Sequence, residues 1–347
     1  MIEFNDDYYS KVMDQYGYSP LEMETIKFSL GEMEQDELRT QWLCHYKGNE
    51  FAKRFNDDKK RCMVTTGFGL SGPPHMGTIS QIMKAVRLQK HGIPVQIVLG
   101  DLDAVNGKSI EYEYTQELVD KYKEFIIRLG FRPGEQYILR SQTEKLDVLK
   151  VAYLIGHEIT DQMFLDTEED LHDFYSQRGK VDSTMTYRRK LSLNLMIGDF
   201  FDLLSSGYNN VLVYLGIDEH KYVRMAVKLL RQYQEKQKKF GKCILASMYS
   251  PIIKGFNQYP KMSKSFPESS IHVDMNPNEI KERILSEIET TVEPENNVIY
   301  QMMSSVSFFT LDQIEKAYFA CKEQSKEWKK MKMEYAEQLI YICSQWF

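Results

Sequence analysis

The spacing of apolar and polar positions changes character along this chain. Up to about residue 58 it follows a helical period. Gln35 to Phe55 carries apolar or aromatic side chains at helical intervals, and Pro20-Leu-Glu-Met-Glu24 reads as the opening of another helix. From about residue 60, short apolar runs alternate with longer amphipathic stretches. Strands are predicted at Cys62–Gly67, Val95–Gly100, Tyr137–Arg140, Asn210–Leu215 and Cys243–Ser247. Helices are predicted over Thr78–Lys90, over Glu111–Leu129 and from His220 to about Glu235. The order β-α-β-α-β implies a parallel, doubly wound sheet, with its ligand crevice at the carboxyl ends of the strands. His75 and Asp101 or Asp103 would meet there. Residues 144–206 read as a mostly helical insertion with a turn near Gly179. The tail from 267 to 347 reads as helices, with Asn276-Pro277 as a helix start. The expected division is therefore an N-terminal helical extension (1–58), a catalytic domain (59–266) and a small C-terminal helical domain (267–347).

Composition narrows the class of protein. With 347 residues, 42% hydrophobic and 27% charged, the chain can bury a substantial core and is not a disordered segment. No apolar run approaches the roughly 20 residues needed to cross a bilayer, and the acidic N-terminus lacks the basic and apolar regions of a secretion signal. A cytoplasmic protein without membrane contact is expected. The five cysteines are scattered, with no CxxC pair or Cys/His cluster. That argues for buried small apolar residues and against zinc or a disulfide framework. The net charge of −6 and the absence of a long basic block argue against general nucleic-acid coating.

Two stretches carry the chemistry. Gly72-Pro-Pro-His75-Met-Gly77-Thr78 follows the first predicted strand and opens the first helix, so His75 and the amides at the helix start face any phosphate above the strand end. Far downstream, Lys261-Met262-Ser263-Lys264-Ser265 sets two ammonium groups three residues apart on a short loop, a layout suited to a polyphosphate that gains charge during reaction. Gly67 and Gly69 would let a nucleotide approach the strand backbone.

In this order, the two stretches resemble the ATP motifs of class I aminoacyl-tRNA synthetases. Leu215-Gly216-Ile217-Asp218-Glu219-His220 is similar to the Gly-x-Asp-Gln segment of the tryptophanyl/tyrosyl subgroup, and Lys261–Ser265 followed by Ser269-Ser270-Ile271 resembles its tryptophanyl branch. The resemblance implies a Rossmann-like fold and formation of an aminoacyl-adenylate from an amino acid and ATP. Transfer to a tRNA acceptor arm would follow. Magnesium would accompany the polyphosphate, with no dedicated protein ligand, and the insertion would supply the face of a homodimer. It also implies roles: His75, Thr78, Lys261 and Lys264 in catalysis; Gly67, Gly69, Gly77, Gly216, Asp218, Met262, Ser263 and Ser265 around ATP; and Asp199, Met196 and Glu219 around the amino acid.

Departures from the family pattern fall mainly in the substrate pocket. Thr78 stands where histidine or asparagine is usual, Met196 where the pattern has glutamine, Ser192 where it has tyrosine, and Glu219 where glutamine follows the aspartate. Changed polar groups imply a changed amino-acid preference. The tail after Ser265 looks reduced for a domain that reads anticodons. Lys322, Lys326, Lys329, Lys330 and Lys332, grouped around Trp328, form either a modest RNA-facing patch or a solvated helix face. Alternative readings are a paralogue that hands its aminoacyl group to another acceptor, and a non-catalytic sensor.

Overall fold

The computed structural model describes residues 3–22, 28–237, 240–287 and 293–347. Seven strands form one sheet: β1 (Ser19–Pro20), β2 (Cys44–Tyr46), β3 (Cys62–Gly69), β4 (Val95–Gly100), β5 (Tyr137–Ser141), β6 (Asn210–Gly216) and β7 (Ile244–Ser250). Their spatial order is β1-β2-β7-β6-β3-β4-β5. The five strands from β7 to β5 run parallel, and the order reverses about β3, as expected of a doubly wound fold. Helices cover both faces, so the inner strands are buried on both sides, which is why β4 and β6 read as continuous apolar runs.

The first 58 residues are helical at Asp6–Tyr16, Gln35–Gln41 and Gly48–Asp57, but they also extend the sheet. β2 pairs antiparallel with β7, and β1 pairs antiparallel with β2. Pro20 therefore closes an edge strand, a position where its missing N–H costs nothing. The remainder of the helix expected from Pro20 runs into residues 23–27, outside the described residues. The helical period read across Gln35–Phe55 is interrupted by the three residues of β2.

Two apolar layers flank the sheet. On one side, Ile79, Leu88, Leu118 and Phe125 share a single cluster with Met302, Trp328, Tyr335 and Leu339 of the C-terminal helices. On the other side, Phe4, Tyr9 and Val12 of the first helix join Phe200, Phe201, Val223 and Leu229. The tail forms helices Pro277–Ser286, Val298–Ser305, Leu311–Lys322 and Lys326–Ser344, and Asn276 caps the first by accepting from the Asn278 amide at 2.9 Å. Trp328 is only 2% exposed, so it anchors the bundle and offers no face for stacking a base. Among the described residues, no helix is long and apolar enough to cross a membrane.

Candidate active site

The carboxyl ends of β3, β4 and β6 open into a cavity of about 420 Å³ lined by both motifs, a size typical of small-molecule sites. His75 is the N-cap of helix Met76–Lys90, and its Nδ1 accepts the Gly77 N–H at 2.9 Å. That bond fixes the tautomer: Nε2 carries the hydrogen and is the donor. Burial holds the imidazole pKa well below its ordinary value, and Lys264, His272 and Lys261 push it the same way. His75 is therefore a neutral hydrogen-bond donor at physiological pH. Gly77 is required by the ring itself, because a Cβ there would stand 2.7 Å from His75 Cε1. Capping is done by His75, while Thr78 lies within the first turn, buried, and lines the cavity.

The two motif lysines share the cavity but not an environment. Lys264 Nζ donates to Tyr122 Oη at 3.0 Å and lies 3.4 and 3.3 Å from the carbonyl oxygens of Gly69 and Gly72. Its ammonium therefore sits over the loop that precedes His75. No carboxylate among the described residues pairs with it, and burial lowers its pKa to about 7, helped by Lys108. Lys261 instead pairs with Asp218 Oδ2 at 2.6 Å and reaches Glu169 Oε2 at 3.8 Å. These carboxylates outweigh its burial and hold its pKa well above the ordinary lysine value. Met262 is buried, and its amide donates to the Ile253 carbonyl at 3.2 Å. Ser263 and Ser265 are tied together by a Ser265 N–H to Ser263 Oγ bond of 3.2 Å.

The loop also explains two residues near it. Gly255 is required by a close approach, since a Cβ there would meet Tyr259 Cβ at 2.7 Å and the Lys261 carbonyl at 2.9 Å. Ser269 accepts from the Ser263 amide at 3.1 Å and donates to the Phe266 carbonyl at 2.7 Å, so it braces the lysine loop and does not cap the following helix.

Carboxylates gather on the Lys261 side. Asp103, Glu169, Asp218 and Glu219 all line the cavity. Asp218 curls back over Gly216, where a Cβ would stand 2.4 Å from Asp218 Oδ1. Burial resists ionisation of Glu169, but Lys261 and a hydrogen bond from Tyr222 Oη hold its pKa below the usual range. Of the two candidate aspartates after β4, only Asp103 faces the cavity. Asp101 is spent on structure, accepting the Gln142 amide at 2.9 Å and Gln116 Nε2 at 3.0 Å.

The far wall is one face of helix Tyr187–Ser205, which presents Arg189, Ser192, Met196 and Asp199 to the cavity. Asp199 is fully buried and already engaged: Arg140 Nη2 donates to Oδ1 at 2.7 Å and Gln142 Nε2 to Oδ2 at 2.9 Å. Burial nevertheless raises its pKa, against the pull of Arg140. A buried polar row continues from Arg140 to Gln96 (3.3 Å) and from Gln96 to Thr65 (3.2 Å), crossing β5, β4 and β3. Gly67 and Gly69 also line the cavity, and a Cβ on Gly67 would approach the Val98 carbonyl to 2.9 Å, so the close packing of β3 on β4 already excludes a side chain.

The family model of the class I tRNA synthetases (W and Y) matches residues 57–342. The chain belongs to this family. The chain is 25% identical over 193 residues to the tryptophan--tRNA ligase of Thermoplasma volcanium, a match covering 54% of the chain and 41% of that enzyme. It is 24% identical over 285 residues to the Thermoplasma acidophilum enzyme of the same name, covering 64% of the chain and 66% of the relative. The chain thus spans less than two thirds of these curated relatives. In fold it is similar to the tryptophanyl-tRNA synthetase of Aeropyrum pernix, with a TM-score of 0.77 at 18% identity, covering 98% of the chain and 92% of that structure.

Sequence reasoning missed four residues that hold the groups lining this cavity: Tyr122, Glu169, Arg140 and Gln142. Tyr122 lies mid-helix at a core-facing position and gives no sign that its hydroxyl meets Lys264. Glu169 lies in an irregular stretch without period. Arg140 was the one readable clue, an arginine at the end of an otherwise apolar strand, where a buried cation demands a partner.

Proposed function

We propose that this chain activates an amino acid with ATP and passes the acyl group to the 3′ end of a tRNA acceptor arm. In the first step, a carboxylate oxygen of the amino acid attacks the α-phosphorus. The bond to the oxygen bridging the α- and β-phosphorus breaks, and pyrophosphate leaves with the electron pair. The observation that carries this reading is the meeting of the two motifs: Lys264 Nζ stands 3.3 Å from the Gly72 carbonyl, although the motifs are far apart in sequence. His75 would donate from Nε2 to a phosphate oxygen without exchanging a proton, and the helix start behind it favours developing negative charge. Lys261 would leave Asp218 for the pyrophosphate oxygens. No side chain forms a covalent intermediate, so the work is positioning and charge stabilisation.

Magnesium would travel with the polyphosphate and take its ligands from phosphate oxygens and water. Among the described residues, no group of three or more His, Cys, Asp or Glu side chains is arranged to hold a metal ion. The family match favours tRNA as acceptor over the paralogue and sensor readings. A homodimer through the insertion is part of the same proposal. Leu146, Leu149, Tyr153 and Leu154 are 62%, 42%, 85% and 57% exposed at helical spacing, and Tyr187 is 76% exposed beside them in sequence order on the next long helix.

The test is amino-acid-dependent ATP–pyrophosphate exchange over the full set of amino acids, with tryptophan and tyrosine included. His75→Ala and Lys264→Ala should each lower exchange by about 10²-fold or more with the fold intact, the range for losing one charge-stabilising donor. Unchanged exchange in both variants would remove the mechanism.

A further inference from the structure

Six carboxyl groups line one cavity; Asp182 and Asp199 are paired with Arg188 and Arg140, and of the four on the Lys261 side three are accounted for. Asp218 is paired with Lys261 at 2.6 Å. Glu169 accepts from Tyr222 Oη and lies 3.8 Å from the same ammonium. Asp103 stands beside Gly69, under the influence of Lys108 and within reach of Ser192. Glu219 closes the short turn Ile217–Glu219, and no hydrogen bond or ion pair reaches its carboxyl group among the described residues. A protonated carboxyl group and a carboxamide have the same outline, and each offers both a donor and an acceptor.

We propose that Glu219 keeps its proton in the working enzyme and meets the amino-acid substrate as a neutral donor, its O–H directed to an oxygen of the substrate carboxylate. This deepens the activation reading and rests on it. An ionised Glu219 would repel the group that must be brought to the α-phosphorus, whereas a neutral one holds it. The surroundings supply the reason for neutrality. Asp218 adjoins it on its own turn, Glu169 faces it from the stretch after helix Asp161–Leu165, Asp103 from helix Asp101–Lys108, and the phenol of Tyr222 from the following helix. Against them stands Lys261, from the lysine loop, already shared by two carboxylates. Lys108 and Arg189 act on Glu169, one step removed. Burial, then Asp218 and Glu169, push the Glu219 pKa up to about 8. Departure of Lys261 toward pyrophosphate would remove the cation that opposes this shift and strengthen the neutral form.

The sign follows directly. With the pKa raised, the neutral donor is present below about pH 8 and is lost as pH rises through that value, so amino-acid binding weakens on the alkaline side. The experiment is the exchange assay from pH 6 to 10 on wild type, Glu219→Gln and Glu219→Leu, with KM for the amino acid as the readout. Above pH 8, wild-type KM should rise about tenfold per pH unit. Glu219→Gln should lack that limb and at pH 9 outperform the wild type by about tenfold. Glu219→Leu should raise KM about tenfold or more already at pH 7, without a change in melting temperature. An alkaline limb that persists unchanged in Glu219→Gln would overturn the inference, as would a hundredfold loss in that variant at pH 7. Carboxyl ¹³C NMR of the wild type reads Glu219 directly, and a titration midpoint below about 6 would also overturn it. If no amino acid supports exchange, the activation reading falls, and the NMR midpoint decides the protonation state by itself.

Discussion

At the scale of single residues, the two lysines of one five-residue motif are chemically distinct. In sequence they are equivalent, an ammonium at each end of a Met-Ser pair. The difference is set by side chains far away along the chain: Asp218 and Glu169 beside Lys261, Tyr122 and two carbonyl oxygens beside Lys264. No local pattern could have revealed it. The consequence is measurable. Lys264, with its pKa lowered to about 7, is largely neutral in the free enzyme at pH 8. Phosphate oxygens favour the charged form and would raise its pKa again. ATP binding at pH 8 should therefore take up about one proton, and the uptake should fade as pH falls below 7, where Lys264 already carries its proton. Calorimetry in buffers of different ionisation enthalpy reads this number. Lys264→Met should abolish the uptake, and the same uptake in that variant would show that another group is responsible.

At the scale of elements, the sequence predicted what has a long period. Each of the five parallel strands, and each of the three helices predicted individually among them, lies within a few residues of its expected place, because two-sided burial imposes continuous apolar runs and one-sided burial imposes a helical stripe. Helix Asp101–Lys108, directly after β4, was missed, and so were β1 and β2, two and three residues long and too short to carry a period of their own. The two strands exist because the β7 edge offers a partner, which is a tertiary cause. The histidine loop was legible as strand–turn–helix, yet the role of Gly77 was not. Sequence suggested room for phosphate, whereas the backbone leaves room for the His75 ring. Gly77→Ala should accordingly separate stability from activity. Alanine is the better helix former by up to about 1 kcal/mol, so the melting temperature should hold or rise. The new Cβ, 2.7 Å from His75 Cε1, should displace the ring and lower exchange by about 10- to 100-fold, the cost of misplacing a positioned group. Full activity in a stable Gly77→Ala enzyme would mean that the ring has another place from which to work.

At the scale of the whole molecule, the insertion is the part whose two sides serve different ends. Helix Tyr187–Ser205 turns Ser192, Met196 and Asp199 into the cavity, while Tyr187 and Leu191, 76% and 38% exposed, face outward. Helix Asp147–Ile155, the first of the insertion, packs on it and carries Leu149, Tyr153 and Leu154 to the surface. Leaving such a stripe in water is unfavourable by about 25 cal/mol for each Å² of apolar area, and a second copy of the same face would cover it isologously. A wild-type mass near twice the 40.9 kDa chain is therefore expected at micromolar concentration by sedimentation equilibrium. Tyr153→Glu combined with Leu154→Glu should reduce it to the mass of one chain, because charges at the centre of an apolar contact are desolvated without partners. In the proposed function the amino acid would meet helix Tyr187–Ser205, which packs on helix Asp147–Ile155, whereas the phosphates would meet His75, the N-cap of helix Met76–Lys90, and Lys264 on the lysine loop. Dissociation should thus raise KM for the amino acid more than KM for ATP. A wild type that sediments as a single chain would defeat the dimer. A dissociated variant with both KM values unchanged would show that the pocket wall is held by its own packing, through Asp199 and Arg140, and needs no partner.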